Sequence, residues 1–143
     1  MPVAQPRPQV AHILETSLYV DDLAIARDFY QRIFGFAVLM EDHRMCAMEV
    51  PAGGVLLLFK RGGSTRPSVR SGGTIPPHDG QGRLHLCFAI PLLQLDDWMR
   101  HLAANGVELE SQVVQDRGGI SLYFRDPDGH CLEVATPGLW RNY

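Results

Sequence analysis

The chain has 143 residues, a formal net charge of -3 and hydrophobic residue types at 45%. That length suits one domain with a real core. Both charge signs are scattered, so there is no polyanion footprint and nucleic acid is not an expected partner.

The opening MPVAQPRPQVAHIL carries prolines and no apolar h-region. It reads as a short arm, with neither a signal peptide nor a membrane attachment expected. Next comes an alternating strand in which Glu15, Ser17 and Tyr19 share one face, opposite Leu14, Thr16, Leu18 and Val20. A helix follows, with a stripe of Leu23, Ala26, Tyr30 and Ile33 widened by Phe29 and Phe34, and with Gly35 as its stop. The stripe is read as core against a sheet and not as a cofactor box. Strand patterns FAVLMED, RMCAMEV and VLLLFK complete the first half, with AGG as a hairpin turn.

The stretch from Lys60 to Arg83 is rich in Gly, Ser, Pro and Arg and reads as a linker. It is locally basic, so it could fold over an anionic ligand, but a solvated, partly disordered connection is preferred to a lid. His78 within it could swing toward the site from its loop, but a solvent-exposed turn histidine is the preferred reading.

The second half repeats the first. RLHLCFAIPLLQLDDWMRHLAANGVELE mirrors ILETSLYVDDLAIARDFYQRIFGFAVL, with Glu15 matching His85 at a shift of 70 (85 minus 15). The second helical stripe is Leu95, Trp98, Met99 and Leu102, closed by Asn105-Gly106. Strands VELESQVV, ISLYFRD and HCLEVAT follow, the last two joined by the Asp126-Pro127-Asp128-Gly129 turn. Each half is thus βαβββ: module one at about 13–60, a linker at about 61–82 and module two at about 83–137, within a single domain. Three cysteines, Cys46, Cys87 and Cys131, lack CxxC spacing and read as buried free thiols in a reducing, cytoplasmic compartment.

Glu133 interrupts an apolar strand, on a face shared with Cys131 and Ala135. An unpaired carboxylate there needs water, a cation or a metal. Glu15 and His85 project from equivalent strands, away from the helices, and pseudo-twofold packing of the halves would bring all three together. Two carboxylates and an imidazole meeting in a cup would hold a divalent metal. Taken singly, His85 could be a hydrogen-bonded histidine, Glu15 a solvated edge residue, and Glu133 a partner of Arg125 or Arg117.

The two βαβββ halves, with TSLYVDDLAIARDFYQRIFGF and LYFRDPDGHCLEVATP, resemble the vicinal oxygen chelate superfamily. That group includes glyoxalase I, bleomycin-resistance proteins, fosfomycin-resistance enzymes and extradiol dioxygenases. The resemblance runs from about Ile13 to Pro137. It implies an α+β fold in which two βαβββ modules form a cupped, barrel-like mixed sheet with helices outside. It also implies one divalent metal (Mn, Fe, Ni or Zn) on Glu15, His85 and Glu133, and commonly a homodimer, side by side or with halves swapped. A swap would put Glu15 and His85 on different chains at each site.

Two positions depart from the family pattern. Glu15 stands where a histidine is usual, which counts against dioxygenase chemistry. Leu57 falls opposite Glu133, where glyoxalase I has a fourth ligand, which counts against lactoylglutathione lyase chemistry. Tyr123 matches a substrate-side tyrosine of fosfomycin-resistance enzymes, while Ser17 and Tyr19 extend the Glu15 face and are read as substrate-binding.

The resulting expectation is a metal-dependent enzyme of lyase or isomerase type, acting on a small molecule chelated through vicinal oxygens. The metal would serve as Lewis acid, with Glu15 or Glu133 as general base. The rival is a metal-free, bleomycin-resistance-like protein that sequesters a small molecule between aromatic surfaces such as Tyr123, Phe59 and Trp140.

Overall fold

The computed structural model describes residues 1–143. In chain order its elements are β1 (Glu15–Val20), α1 (Leu23–Phe34), β2 (Val38–Glu41), β3 (Met45–Val50), β4 (Gly54–Lys60), β5 (Ser68–Arg70), β6 (Gly73–Ile75), β7 (His85–Ala89), α2 (Leu95–Ala104), β8 (Ser111–Val114), β9 (Ile120–Arg125) and β10 (Cys131–Ala135). No helix is long and apolar enough to cross a membrane.

The doubled sequence pattern becomes two open, cupped sheets with the same strand plan, β1-β4-β3-β2 and β7-β10-β9-β8. In each, the first strand of the module lies parallel to its last, and the remaining pairs are antiparallel. The repeat extends to register. Ser17 faces Leu57 across one parallel pair, and Cys87 faces Glu133 across the other. Leu57 therefore does occupy the position equivalent to Glu133.

Asp22 starts α1 by accepting from the Ile25 amide at 3.0 Å, and Gly35 ends it in the left-handed region at φ 70°. α2 is entered through a single 3₁₀ turn, Leu92–Gln94, behind Pro91. It has no side-chain cap, but Asp96 and Asp97 place negative charge in its first turn.

Alternation within β1 sorts only its second half as expected, because Leu14 and Thr16, on the inward-facing side, are exposed. Leu18 and Val20 are buried in the main core beneath α1, together with Leu56, Leu58, Leu132 and Val134 from the two last strands. The helices thus lie on one face of each sheet. The Phe34 ring joins the modules, with its centroid 4.7 Å from that of Phe88, 5.5 Å from Trp98 and 6.1 Å from Phe124. A second cluster, Tyr19, Met45, Ala47, Leu57 and Phe59, forms on the helix-free face of the first sheet.

The turn between β9 and β10 clasps module two to module one. Tyr30 Oη donates to Asp126 Oδ2 at 2.8 Å, and the Asp21 amide donates to Asp128 Oδ1 at 2.8 Å. His130, fully buried, bridges the Leu84 amide (to Nδ1, 2.8 Å) and the Tyr19 carbonyl (from Nε2, 2.7 Å). Because an amide must donate and a carbonyl must accept, His130 is neutral and protonated on Nε2.

Several expectations are revised. The VELE stretch is not strand, since β8 begins only at Ser111. Val107 and Leu109 instead tuck half-buried against the core. The linker is solvated as expected but folded, not disordered: β5 and β6 pair as an exposed hairpin, and the segment beyond them docks on Tyr19. His78 is accordingly half-buried and not an exposed turn residue. Of the three thiols only Cys46 is buried, with Cys131 half-buried and Cys87 on the exposed face of β7.

Candidate functional site

The parallel pairing of β7 with β10 puts His85 opposite Cys131 and Cys87 opposite Glu133. On the other side of β10, Tyr123 of β9 lies opposite Glu133. These side chains share the helix-free face of the second sheet. Glu133 is enclosed there, its side chain 5% exposed, while His85 stays open to solvent.

His85 Nδ1 lies 2.8 Å from the Cys131 carbonyl oxygen, which can only accept, so the proton is on Nδ1. The other ring nitrogen, Nε2, points at Glu133 Oε1 from 3.3 Å. In a neutral imidazole that places a nitrogen lone pair against a carboxylate oxygen, and the contact is repulsive unless a cation, a proton or a metal ion, lies between them. The second carboxylate oxygen, Oε2, is buried without a hydrogen bond of normal geometry, although the Cys87 thiol and the Tyr123 hydroxyl lie near enough for the carboxylate to act on both. A buried charge left this way costs free energy that a ligand can recover. A backbone carbonyl that holds the distal N–H is also how metal-binding histidines are oriented. The donor set of one imidazole nitrogen and one buried carboxylate fits a divalent transition metal.

Arg125, one alternative partner for Glu133, pairs instead with Glu110 at 2.7 Å. The Tyr123 ring stacks loosely over His85, with centroids 6.4 Å apart. Burial first and the charge of Glu133 second push its phenol above the ordinary value, so it remains a proton donor at neutral pH. Gln115, which the sequence did not single out, reaches the same cluster. Its Nε2 donates to Ser121 Oγ at 2.9 Å and to Tyr123 Oη at 3.5 Å. Burial and the neighbouring Glu133 push the Cys87 thiol up to about 12, although the residue lies on an open sheet face. It is held as a thiol and is no nucleophile at neutral pH.

Glu15, Ser17 and Tyr19 project together from β1, but into a different pocket, on the helix-free face of the first sheet. Within one chain no group of three or more His, Cys, Asp or Glu side chains comes close enough to hold a metal ion. The chain alone therefore unites His85, Glu133 and Tyr123 and leaves Glu15, Ser17 and Tyr19 elsewhere. The pseudo-twofold meeting of all three donors within one chain is not seen. The physical reason is the shared core: the modules pack through their helix-bearing faces and Phe34, not through the faces that carry the donors.

Sequence reasoning misplaced His78, which is half-buried and docked instead of exposed. Its Nδ1 lies 2.6 Å from Tyr19 Oη, and its ring meets Phe59 edge-on with centroids 4.5 Å apart. Gly80 follows so closely that a Cβ there would overlap the Tyr19 ring. The run HDGQG held a usable signal, since a glycine can mark a close approach of backbone to another group.

Known proteins agree with this architecture. A solved lactoylglutathione lyase from Agrobacterium tumefaciens superposes with a TM-score of 0.85 at 30% identity, covering 94% of this chain and 99% of that one. Metallothiol transferase FosB of Staphylococcus haemolyticus is 30% identical over 122 residues, 84% of this chain and 79% of that protein. FosB of Shouchella clausii is 41% identical over 63 residues, a stretch that spans only 42% of its length. The family described as Glyoxalase/Bleomycin resistance protein/Dioxygenase superfamily matches residues 9–134. With a family match over most of its length and the same paired modules, the chain belongs to the glyoxalase/bleomycin resistance protein/dioxygenase superfamily.

Proposed function

We propose that this protein is a metal-dependent enzyme acting on a small molecule that chelates through vicinal oxygens. His85 and Glu133 of one copy would hold the metal together with Glu15 of a second copy. The observation that carries this reading is the facing pair itself: His85 Nε2, with the Nδ1 proton held by the Cys131 carbonyl, points at the buried Glu133 carboxylate from 3.3 Å. Glu15, exposed on the other sheet, reaches the pair only if a second copy brings it there, so this reading requires a homodimer.

A bound divalent ion would supply Lewis-acid polarisation of the substrate oxygens. The chain's own residues do the rest. The Cys131 carbonyl holds His85 in the tautomer that presents Nε2. Tyr123, kept protonated, donates a hydrogen bond to an oxygen on the substrate side, with Gln115 steadying its hydroxyl. Glu133 or Glu15 accepts a proton from the substrate, the reaction being of lyase, isomerase or related transfer type. Leu57, an apolar side chain at the position equivalent to Glu133, offers no fourth donor. That separates this reading from lactoylglutathione lyase chemistry, despite the A. tumefaciens neighbour.

The test is metal retention by native mass spectrometry after incubation with Mn, Fe(II), Ni or Zn. About one ion per chain in a dimer is expected, lost in Glu133→Ala and in His85→Ala. A protein that takes up none of the four ions sinks the enzyme reading and favours metal-free sequestration of a small molecule.

A further inference from the structure

We propose that the pocket on the Glu15 face binds a small organic anion with an aromatic or branched apolar body. The linker hairpin supplies part of its anion recognition. This deepens the proposed function, on which it rests only for the identification of the ligand as substrate.

The pocket has a volume of about 480 Å³, within the span of small-molecule sites. Its floor is apolar and aromatic. Tyr19 and Phe59 stack with centroids 5.9 Å apart at 27°, beside Met45 and Leu57, and all four are buried in the smaller core cluster. A flat or branched hydrocarbon body has matching surface there. His78 closes one side, pinned by its contacts with Tyr19 and Phe59.

Charge decides the rest. The pocket is lined by two arginines, Arg44 at the head of β3 and Arg70 at the tip of the β5–β6 hairpin, against one carboxylate, Glu15. Neither guanidinium has an ion-pair partner within the chain, so both are available to a ligand. Two unpaired guanidinium groups lining one apolar-floored pocket favour a carboxylate or a similar oxyanion. Glu15 repels that same anion, so the charged end lies toward the arginines. The ligand's other end then lies toward Glu15, the metal donor proposed above.

The hairpin joins this site through its own fold. The β5–β6 pair places Arg70 opposite Gly73, and the chain returns through His78 and Gly80 against Tyr19. The locally basic linker composition thereby acquires a function that the metal pair does not explain.

The experiment titrates 3-phenylpropionate into the purified protein and follows amide shifts by NMR, with the neutral 3-phenylpropan-1-ol in parallel. Both titrations are run once in chelator and once with Mn-free Zn loading. Shifts confined to β1, the Arg44–Met45 end of β3, β4 and the segment from the hairpin to His78 are expected, with the alcohol at least tenfold weaker. Arg70→Gln and Arg44→Gln should each weaken the acid at least tenfold while leaving the alcohol unchanged, and Arg70→Lys should restore part of the loss. Equal binding of acid and alcohol, indifference to both arginine variants, shifts on another face, or no binding of the acid at millimolar concentration would each overturn the proposal. Arg70 is exposed on a short hairpin, so its variants should fold, and thermal melts check this. Failure of the metal reading looks different: no zinc uptake, with the arginine-dependent binding intact in chelator.

Discussion

Replacing Glu133 by glutamine should change stability in opposite directions with and without metal. In the metal-free protein the wild-type carboxylate is 5% exposed, faces the His85 Nε2 lone pair and has one oxygen without a hydrogen bond of normal geometry. Glutamine keeps the shape, removes the charge and brings an N–H₂ that can donate to Nε2. Relief of one buried, unsatisfied charged group is worth about 1–3 kcal/mol. For a domain of this size that is a rise in Tm of about 3–9 °C. Zinc at about 1,000 times its dissociation constant would add about 4 kcal/mol to the wild type alone, reversing the order. Thermal melts of both proteins in chelator and in zinc read the result directly. A Glu133→Gln protein equal to or less stable than wild type in chelator would refute the claim that the carboxylate is held at a cost for a cation.

Other outcomes follow from the same geometry. If Glu15 and the His85–Glu133 pair meet across two chains, Glu15→Ala and Glu133→Ala homodimers each lose metal, while a mixed dimer regains one site. Native mass spectrometry of the mixture would show one ion per mixed dimer, and its absence would rule out sharing between copies. His130→Ala strands the Leu84 amide and the Tyr19 carbonyl in the core and should cost about 2–5 kcal/mol in urea unfolding, with His130→Gln recovering part. Burial pushes the Cys46 thiol from 9.0 up to about 11. Its folded value being raised, its contribution is fully present below pH 9 and is lost as pH rises toward 11, at up to about 1.4 kcal/mol per pH unit. Cys46→Ala should therefore show a shallower decline across that window, read from urea midpoints. Gly80→Ala pushes a methyl group into the Tyr19 ring and should free His78, visible as lost shifts at Phe59 and weaker arginine-dependent ligand binding.

Much of this molecule could be read from periodicity. Strand alternation placed Leu18 and Val20 inward and Glu15 outward, and the shift of 70 between Glu15 and His85 anticipated the common strand plan. Glu133 and His85 were legible as neighbours because each ends up on the same face of adjacent, repeat-related strands. What spacing cannot encode is which faces of two modules meet. The aromatic contacts of Phe34 settle that, and they bury the helix-bearing sides, leaving Glu15 apart from the pair. His130 escaped for a related reason: both of its hydrogen bonds go to backbone groups, one of them 111 residues away, and backbone partners leave no signature in residue types. His78 was misjudged because glycine- and proline-rich composition signals irregular backbone, and irregular backbone can still be tightly docked.

The clasp at Asp126, Asp128 and His130 has no counterpart in module one, where Val50, Ala52 and Gly54 stand at the equivalent places and border an apolar hollow with Leu86 and Phe88. An ancestral duplication would have begun with two identical turns. One copy has since become a polar latch and the other a greasy seat, so the halves have lost their interchangeability. A rearranged gene encoding the second half before the first would keep every hydrogen bond of the latch, whereas two copies of the first half would have none of them.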